Sequence, residues 1–223
     1  MIVIARSVLS ESELSKLREL LEHARFSDGG ASAGGAARTA KHALQLDREG
    51  DGQREPGELI ARALLRHPTV QRAAFPKATR HPTVNRYEAG MGYGPHLDLP
   101  LMPGAVPTRA DVSATVFLSE PNSYEGGELS IHSDTLPVDF KGEAGDAVLY
   151  PADSIHCVKP VRSGVRLVAV TWFQSLIREA AQRKILFDLG QALDAFEASS
   201  SDAEALLKLR AGYQNLQRRW LEL

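Results

Sequence analysis

Two short segments carry residue types that can do chemistry together. Gly94-Pro95-His96-Leu97-Asp98 sets a histidine and an aspartate two residues apart. Tyr150-Pro151-Ala152-Asp153-Ser154-Ile155-His156 supplies a second histidine, and Arg166 follows it by ten residues. On a β-strand, residues i and i+2 point to the same face, so His96 and Asp98 can grip one ion while Leu97 turns away. His156 must arrive from a neighbouring strand. Two imidazoles and one carboxylate on one side of a metal leave its other positions open, which suits non-haem Fe(II) and dioxygen. Arg166 lies in the β-branched run Val165-Arg166-Leu167-Val168-Ala169-Val170-Thr171-Trp172. Its even positions share a face, so Arg166 and Trp172 look into one cavity. A guanidinium there can hold a carboxylate bidentately, as a dicarboxylic cosubstrate requires. Taken singly, each residue has a plainer role: surface turn for His96 and Asp98, core packing for His156, an edge ion pair for Arg166. Their order, separation and strand context together select the metal site.

These residues need a scaffold, and the chain divides into three parts that provide one. Residues 70–175 hold short strands separated by turn residues at Gly90 to Pro95, Pro100 to Pro107, Pro121 to Gly127 and Gly142 to Gly145. That pattern predicts a mainly β fold with flanking helices, its core a jelly-roll or double-stranded β-helix. Asp111 to Leu118 alternates, with Ser113, Thr115 and Phe117 on one face and Val112, Ala114, Val116 and Leu118 on the other; either could line the cavity. Residues 1–69 predict a helical layer. Ser10-Glu11-Ser12-Glu13 is a capping box, followed by Leu14, Leu17, Leu20 and Leu21 at helical spacing. A second helix is predicted over Gly57 to Leu65. Between them, the Gly/Ala/Ser-rich stretch from Ser27 to Ala37 and the charged stretch from Asp47 to Glu58 read as exposed connections, or as a lid spanning 27–56.

Residues 176–223 predict a helical hairpin. Leu176, Ile177, Ala181, Ile185, Leu189 and Leu193 mark its first helix, Ala198 to Ser201 its turn, and Ser201-Asp202-Ala203-Glu204 a second capping box. Leu206, Leu209, Tyr213, Leu216 and Trp220 continue the stripe, which either packs on the barrel or pairs two copies as a homodimer. On this division, 1–175 form the catalytic domain and 176–223 the hairpin.

Composition narrows the function classes. At 223 residues the chain can bury a sizeable core in one domain. A net charge of −2 and no basic block argue against nucleic-acid binding. No apolar run approaches a membrane span or a signal peptide, and the one cysteine, Cys157, suits a reducing compartment. A cytoplasmic protein with a small-molecule or peptide substrate is expected, away from membranes.

The stretch from Asn85 to Asp98 resembles the Fe(II)/2-oxoglutarate oxygenase superfamily, prolyl 4-hydroxylase branch. Arg109 to Thr115, Tyr124 to Leu129, Gly145 to Pro151 and Val170 to Ser175 narrow the resemblance to bacterial PKHD-type hydroxylases. The early segment Thr39 to Leu46 resembles the family's loop before the barrel but lacks an asparagine expected near His42 or Ala43. The resemblance implies Fe(II) on His96, Asp98 and His156, 2-oxoglutarate on Arg166, and L-ascorbate as a further cofactor. It also favours the Ser113 face as the cavity side. Hydroxyls of Tyr93, Tyr87 or Thr115 would assist Arg166. The implied reaction couples decarboxylation of 2-oxoglutarate to succinate with hydroxylation of a substrate the sequence does not name. A cupin-like sensor that binds without turnover is the alternative, and a zinc enzyme a third. Arg166 argues against both, since neither needs a dicarboxylate clamp.

Overall fold

The computed structural model describes residues 1–32, 40–47, 54–104, 106–132 and 136–223. The larger sheet is built around β10 (Val112–Phe117), whose small and β-branched residues are buried at every position. β10 pairs antiparallel with β14 (Ala147–Pro151) on one side and β17 (Arg166–Ser175) on the other. From β17 the sheet continues through β6 (Thr83–Tyr87) and β4 (Leu44–Leu46) to β2 (Phe26–Asp28). β5 (Pro76–Thr79) pairs the end of β17, and β1 (Val3–Ala5) closes the opposite edge against β14. The second antiparallel sheet runs β13 (Pro137–Phe140), β12 (Leu129–His132), β15 (His156–Val158), β7 (Gly92–His96) and β3 (Lys41–His42). Two short ladders join β8 (Leu101–Met102) to β9 (Thr108–Arg109) and β11 (Tyr124–Gly126) to β16 (Val161–Gly164). This is the expected jelly roll.

The parity of β10 separates two cores. Phe117 points between the sheets and packs with Tyr87, Leu129, Ile131, Val148 and Val168. Val112, Ala114, Val116 and Leu118 point outward into a second core. There they meet three helices: α1 (Glu11–Glu22), α2 (Arg54–Arg66) and α3 (Pro68–Ala74), through Leu14, Leu17, Ile60 and Leu64 among others. Each of those four side chains is at most 2% exposed, and truncating one to alanine would cost roughly 2–5 kcal/mol. The predicted capping box starts α1: Glu13 N–H donates to Ser10 Oγ, and Ser10 N–H donates to Glu13 Oε2.

The N-terminal part differs from a purely helical layer. It contributes β1 to β4, which extend both sheets. Strands of two or three residues are too short to show a period of two, so sequence pattern alone misses them. Val70 lies in α3, and the strands that follow start at Pro76. Ser27 and Asp28 belong to β2, and Arg54 to Glu58 to α2, so neither stretch is loop throughout. The proposed lid 27–56 also contains β3 and β4, and its residues 33–39 and 48–53 lie outside the described residues.

The hairpin forms as α4 (Ala180–Ser199) and α5 (Ala203–Trp220). Asp202, not Ser201, caps α5, accepting from Ala205 N–H at 2.9 Å. The buried face of α4 also differs from the predicted stripe. It is Arg183, Leu186, Phe187 and Gly190, while Ile185 and Leu189 are more than 40% exposed. Arg183 decides the rotation: its guanidinium donates to the carbonyls of Ile177, Arg178 and Asp111, anchoring the helix to the barrel. No helix among the described residues is long and apolar enough to cross a membrane.

Candidate metal centre and cosubstrate cavity

β7 and β15 bring the two histidines face to face, since His96 and His156 are register partners. Asp98 sits just past the end of β7, and Leu97 between them turns outward at 55% exposure. One donor atom from each of His96, Asp98 and His156 lies within 4.8 Å of the others. His156 Nε2 is 3.9 Å from Asp98 Oδ2.

Local hydrogen bonds set each ligand's orientation. His96 Nδ1–H donates to the Gly94 carbonyl at 2.9 Å, and His156 Nδ1–H to the Ser154 carbonyl at 3.0 Å. A carbonyl only accepts, so both Nδ1 atoms carry a proton, which leaves Nε2 of each ring as the atom that can serve as a metal ligand. Ser113 Oγ–H donates to Asp98 Oδ2 at 2.6 Å, fixing the carboxylate from the central strand. Tyr93 stacks on His96 with ring centroids 3.6 Å apart, and Tyr150 meets His156 edge-on at 5.0 Å. Burial, then the neighbouring His156, pulls the His96 pKa down to about 4. The imidazole is therefore neutral and available as a ligand at neutral pH. Burial, with Asp98 adding to it, pushes the Tyr93 phenol up to about 12.

The three residues open onto a cavity of about 390 Å³. Arg166 lines it and is 1% exposed, with Nε, Nη1 and Nη2 all lacking a hydrogen-bond partner. Its guanidinium lies over the Tyr87 ring at 5.0 Å. Burial raises the phenols of Tyr87 and Tyr124, and the nearby Arg166 charge partly offsets it. Gly127 makes the space: its φ is +67°, and a Cβ there would lie 2.9 Å from Arg166 Cδ. A buried cation without a partner costs several kcal/mol, so this arrangement suits an anion.

The structure brings the remaining candidates to the same cavity. Thr115 and Trp172 line it together with Tyr87 and Tyr93. Trp172 is the register partner of Ser113, which puts the Ser113 face toward the site. Sequence reasoning missed the Ser113–Asp98 bond and the approach of Tyr124 to Arg166. The first had a signal in the parity of β10. The second joins segments about forty residues apart through β11 and β16, and no local pattern announces it.

Comparisons with known proteins show the family of the chain. Residues 82–174 match the 2OG-Fe(II) oxygenase superfamily, and residues 181–222 match the PKHD-type hydroxylase C-terminal domain. A PKHD-type hydroxylase of Methylobacterium nodulans is 42% identical, with 100% of both chains covered. One from Hyphomonas neptunium is 43% identical over 96% of each chain. A prolyl-4-hydroxylase of Pseudomonas putida shares the fold with a TM-score of 0.52, at 18% identity, covering 78% of this chain and 92% of that one. A prolyl hydroxylase from Trichoplax adhaerens, solved with a hypoxia inducible factor peptide fragment, does so at 0.55 and 16% identity, covering 83% and 86%.

Proposed function

Because the chain belongs to the PKHD-type hydroxylases, which are Fe(II)- and 2-oxoglutarate-dependent dioxygenases, we propose that His96, Asp98 and His156 hold its iron and Arg166 its cosubstrate. The observation that carries the reading is the buried, unpartnered Arg166 in the cavity where the three donors converge. Two imidazole Nε2 atoms and one carboxylate fit Fe(II), and a bidentate guanidinium fits the distal carboxylate of 2-oxoglutarate. When bound, the pair would supply oxidative chemistry in which dioxygen is the oxidant, one of its oxygen atoms entering succinate as 2-oxoglutarate loses carbon dioxide and the other hydroxylating a nearby C–H bond.

The protein's own share is positioning. The Gly94 and Ser154 carbonyls hold the imidazole rings, and Ser113 holds Asp98. Tyr87, beside Arg166, and Thr115 offer hydroxyls to the cosubstrate, while Tyr93 braces His96 by stacking. Arg166 does no proton transfer, because a guanidinium stays charged at ordinary pH.

The reading extends to L-ascorbate, which the family resemblance implies as the reductant, and to the cytoplasm, where the lone Cys157 would stay reduced. It divides the chain at 175/176, a boundary supported by the gap between the two family matches. It also pairs two copies through the C-terminal helices, supported by the exposed Ile185, Leu189, Leu207 and Leu209; sedimentation tests that pairing. The test of the catalytic assignment is succinate release from 2-oxoglutarate under Fe(II) and air, with mass detection of oxygen gained by candidate substrates. Release in wild type and its loss in Asp98→Ala supports the assignment. Equal release in both overturns it.

A further inference from the structure

The cavity holds donors that the iron and cosubstrate leave unused. Arg80 follows β5, and its backbone N–H donates to the Trp172 carbonyl at 2.9 Å. Thr79 pairs with Phe173, so Arg80 stands opposite Trp172. Opposed residues of an antiparallel pair share a face, and both side chains line the cavity, on the face of β17 that carries Arg166. Thr171 Oγ1–H holds the Arg80 carbonyl at 2.6 Å. The guanidinium rests against Gly104, where a Cβ would fall 2.3 Å from Nη1. Among the described residues, no carboxylate pairs with Arg80 and no side-chain hydrogen bond occupies its guanidinium. Trp172 Nε1 is buried and also lacks a partner.

Charge points the same way. Among the described residues, the charged side chains lining the cavity are Lys41, Arg80, Arg166 and Asp98. Fe(II), Asp98 and the 2-oxoglutarate dianion sum to −1 (+2 −1 −2), which Arg166 neutralises. Arg80 then adds a positive charge to the loaded cavity, and a positive enclosure draws an anionic substrate.

We propose that Arg80, with the Trp172 N–H, forms a second anion subsite that selects a primary substrate bearing a carboxylate. The proposal rests on the dioxygenase reading above. A planar fork favours a carboxylate over a neutral amide of the same shape. The cavity lies at the small end of the roughly 300–1,000 Å³ typical of ligand sites. It must also hold 2-oxoglutarate, so the part of the substrate inside is the size of an amino acid or one side chain.

The test uses full-length protein loaded with Mn(II) and saturating 2-oxoglutarate under nitrogen, which fills Arg166 first. Calorimetric titration compares free L-amino acids with their amides, and blocked tripeptides carrying Glu with those carrying Gln. The expected result is a preference of roughly tenfold or more for the acid in at least one series. Preference among free acids alone identifies a small molecule, and preference among peptides alone a peptide-borne carboxylate. Arg80→Gln should bring the ratio close to one, Arg80→Lys should keep part of it, and Arg162→Gln, on an exposed strand, should keep all of it. Binding of 2-oxoglutarate with no acid preference in wild type, or with no probe bound, overturns the subsite and leaves the dioxygenase reading standing. Failure of wild type to bind 2-oxoglutarate overturns both. The wild-type comparison decides the matter even if an Arg80 variant does not fold.

Discussion

Replacing Arg166 by methionine should raise the stability of the ligand-free protein while removing its response to 2-oxoglutarate. An arginine that served as a structural ion pair would behave in the opposite way. Arg166 is 1% exposed, and none of its three guanidinium nitrogens has a hydrogen-bond partner. Its compensation comes from neutral groups, the Tyr87 ring at 5.0 Å, worth about 0.5–2 kcal/mol, and the nearby Tyr87 and Tyr124 phenols. Against that stands a desolvation penalty of several kcal/mol for a buried ion. Methionine is unbranched and fills irregular space among Leu129, Val158 and Val168, which line the same cavity. A net gain of about 1–2 kcal/mol would raise the melting temperature by roughly 2–8 °C for a chain of this length. In wild type, 2-oxoglutarate at a hundred times its dissociation constant should add about 2.7 kcal/mol. In Arg166→Met that increment should vanish. The assay is thermal unfolding of both proteins, with and without Mn(II) and 2-oxoglutarate, under nitrogen. A variant that loses several kcal/mol without ligand yet keeps the full increment would refute the reasoning.

Three further outcomes are expected. Ser113→Ala removes the 2.6 Å bond to Asp98 and should weaken metal affinity by about 10–100-fold, read by competition with a metallochromic chelator. Gly127→Ala forces an L side chain to φ +67° and a Cβ to 2.9 Å from Arg166 Cδ. It should cost about 1–2 kcal/mol in denaturant unfolding and raise the Michaelis constant for 2-oxoglutarate. Glu13, held by Arg66 first and then by Ser10, has its pKa lowered to about 2 from 4.5. Its contribution is present above pH 4.5 and lost as pH falls through about 2. After discounting for solvent screening, Glu13→Gln should cost about 1 kcal/mol at pH 7, and the gap to wild type should close between pH 4.5 and 2.

The convergence of His96, Asp98 and His156 was legible because residue spacing along a strand is a local rule. His96 and Asp98 announce themselves by a spacing of two, and Arg166 and Trp172 by a spacing of six in one β-branched run. Partnerships made across the fold were less legible. Ser113 reaches Asp98 over 15 positions, and Arg80 reaches the cavity only because β5 pairs with β17. The short strands β1 to β4 fell below the length at which alternation shows. On α4 the aliphatic i, i+4 stripe was real, but a buried polar anchor overrode it. Arg183 found backbone carbonyls to bind, and it rotated Ile185 and Leu189 toward solvent.

The central claim is that one metal and one cosubstrate meet at His96, Asp98, His156 and Arg166. Anaerobic titration of Fe(II) into protein with 2-oxoglutarate tests it directly, because a 2-oxo acid chelated to Fe(II) produces a visible charge-transfer absorption. The account predicts that the band saturates at one Fe(II) per chain. It should be absent with Zn(II), lost in His156→Ala, and shifted to higher 2-oxoglutarate concentration in Arg166→Lys. A band of full intensity in His156→Ala, or tight 2-oxoglutarate binding with no band at saturating Fe(II), would contradict it.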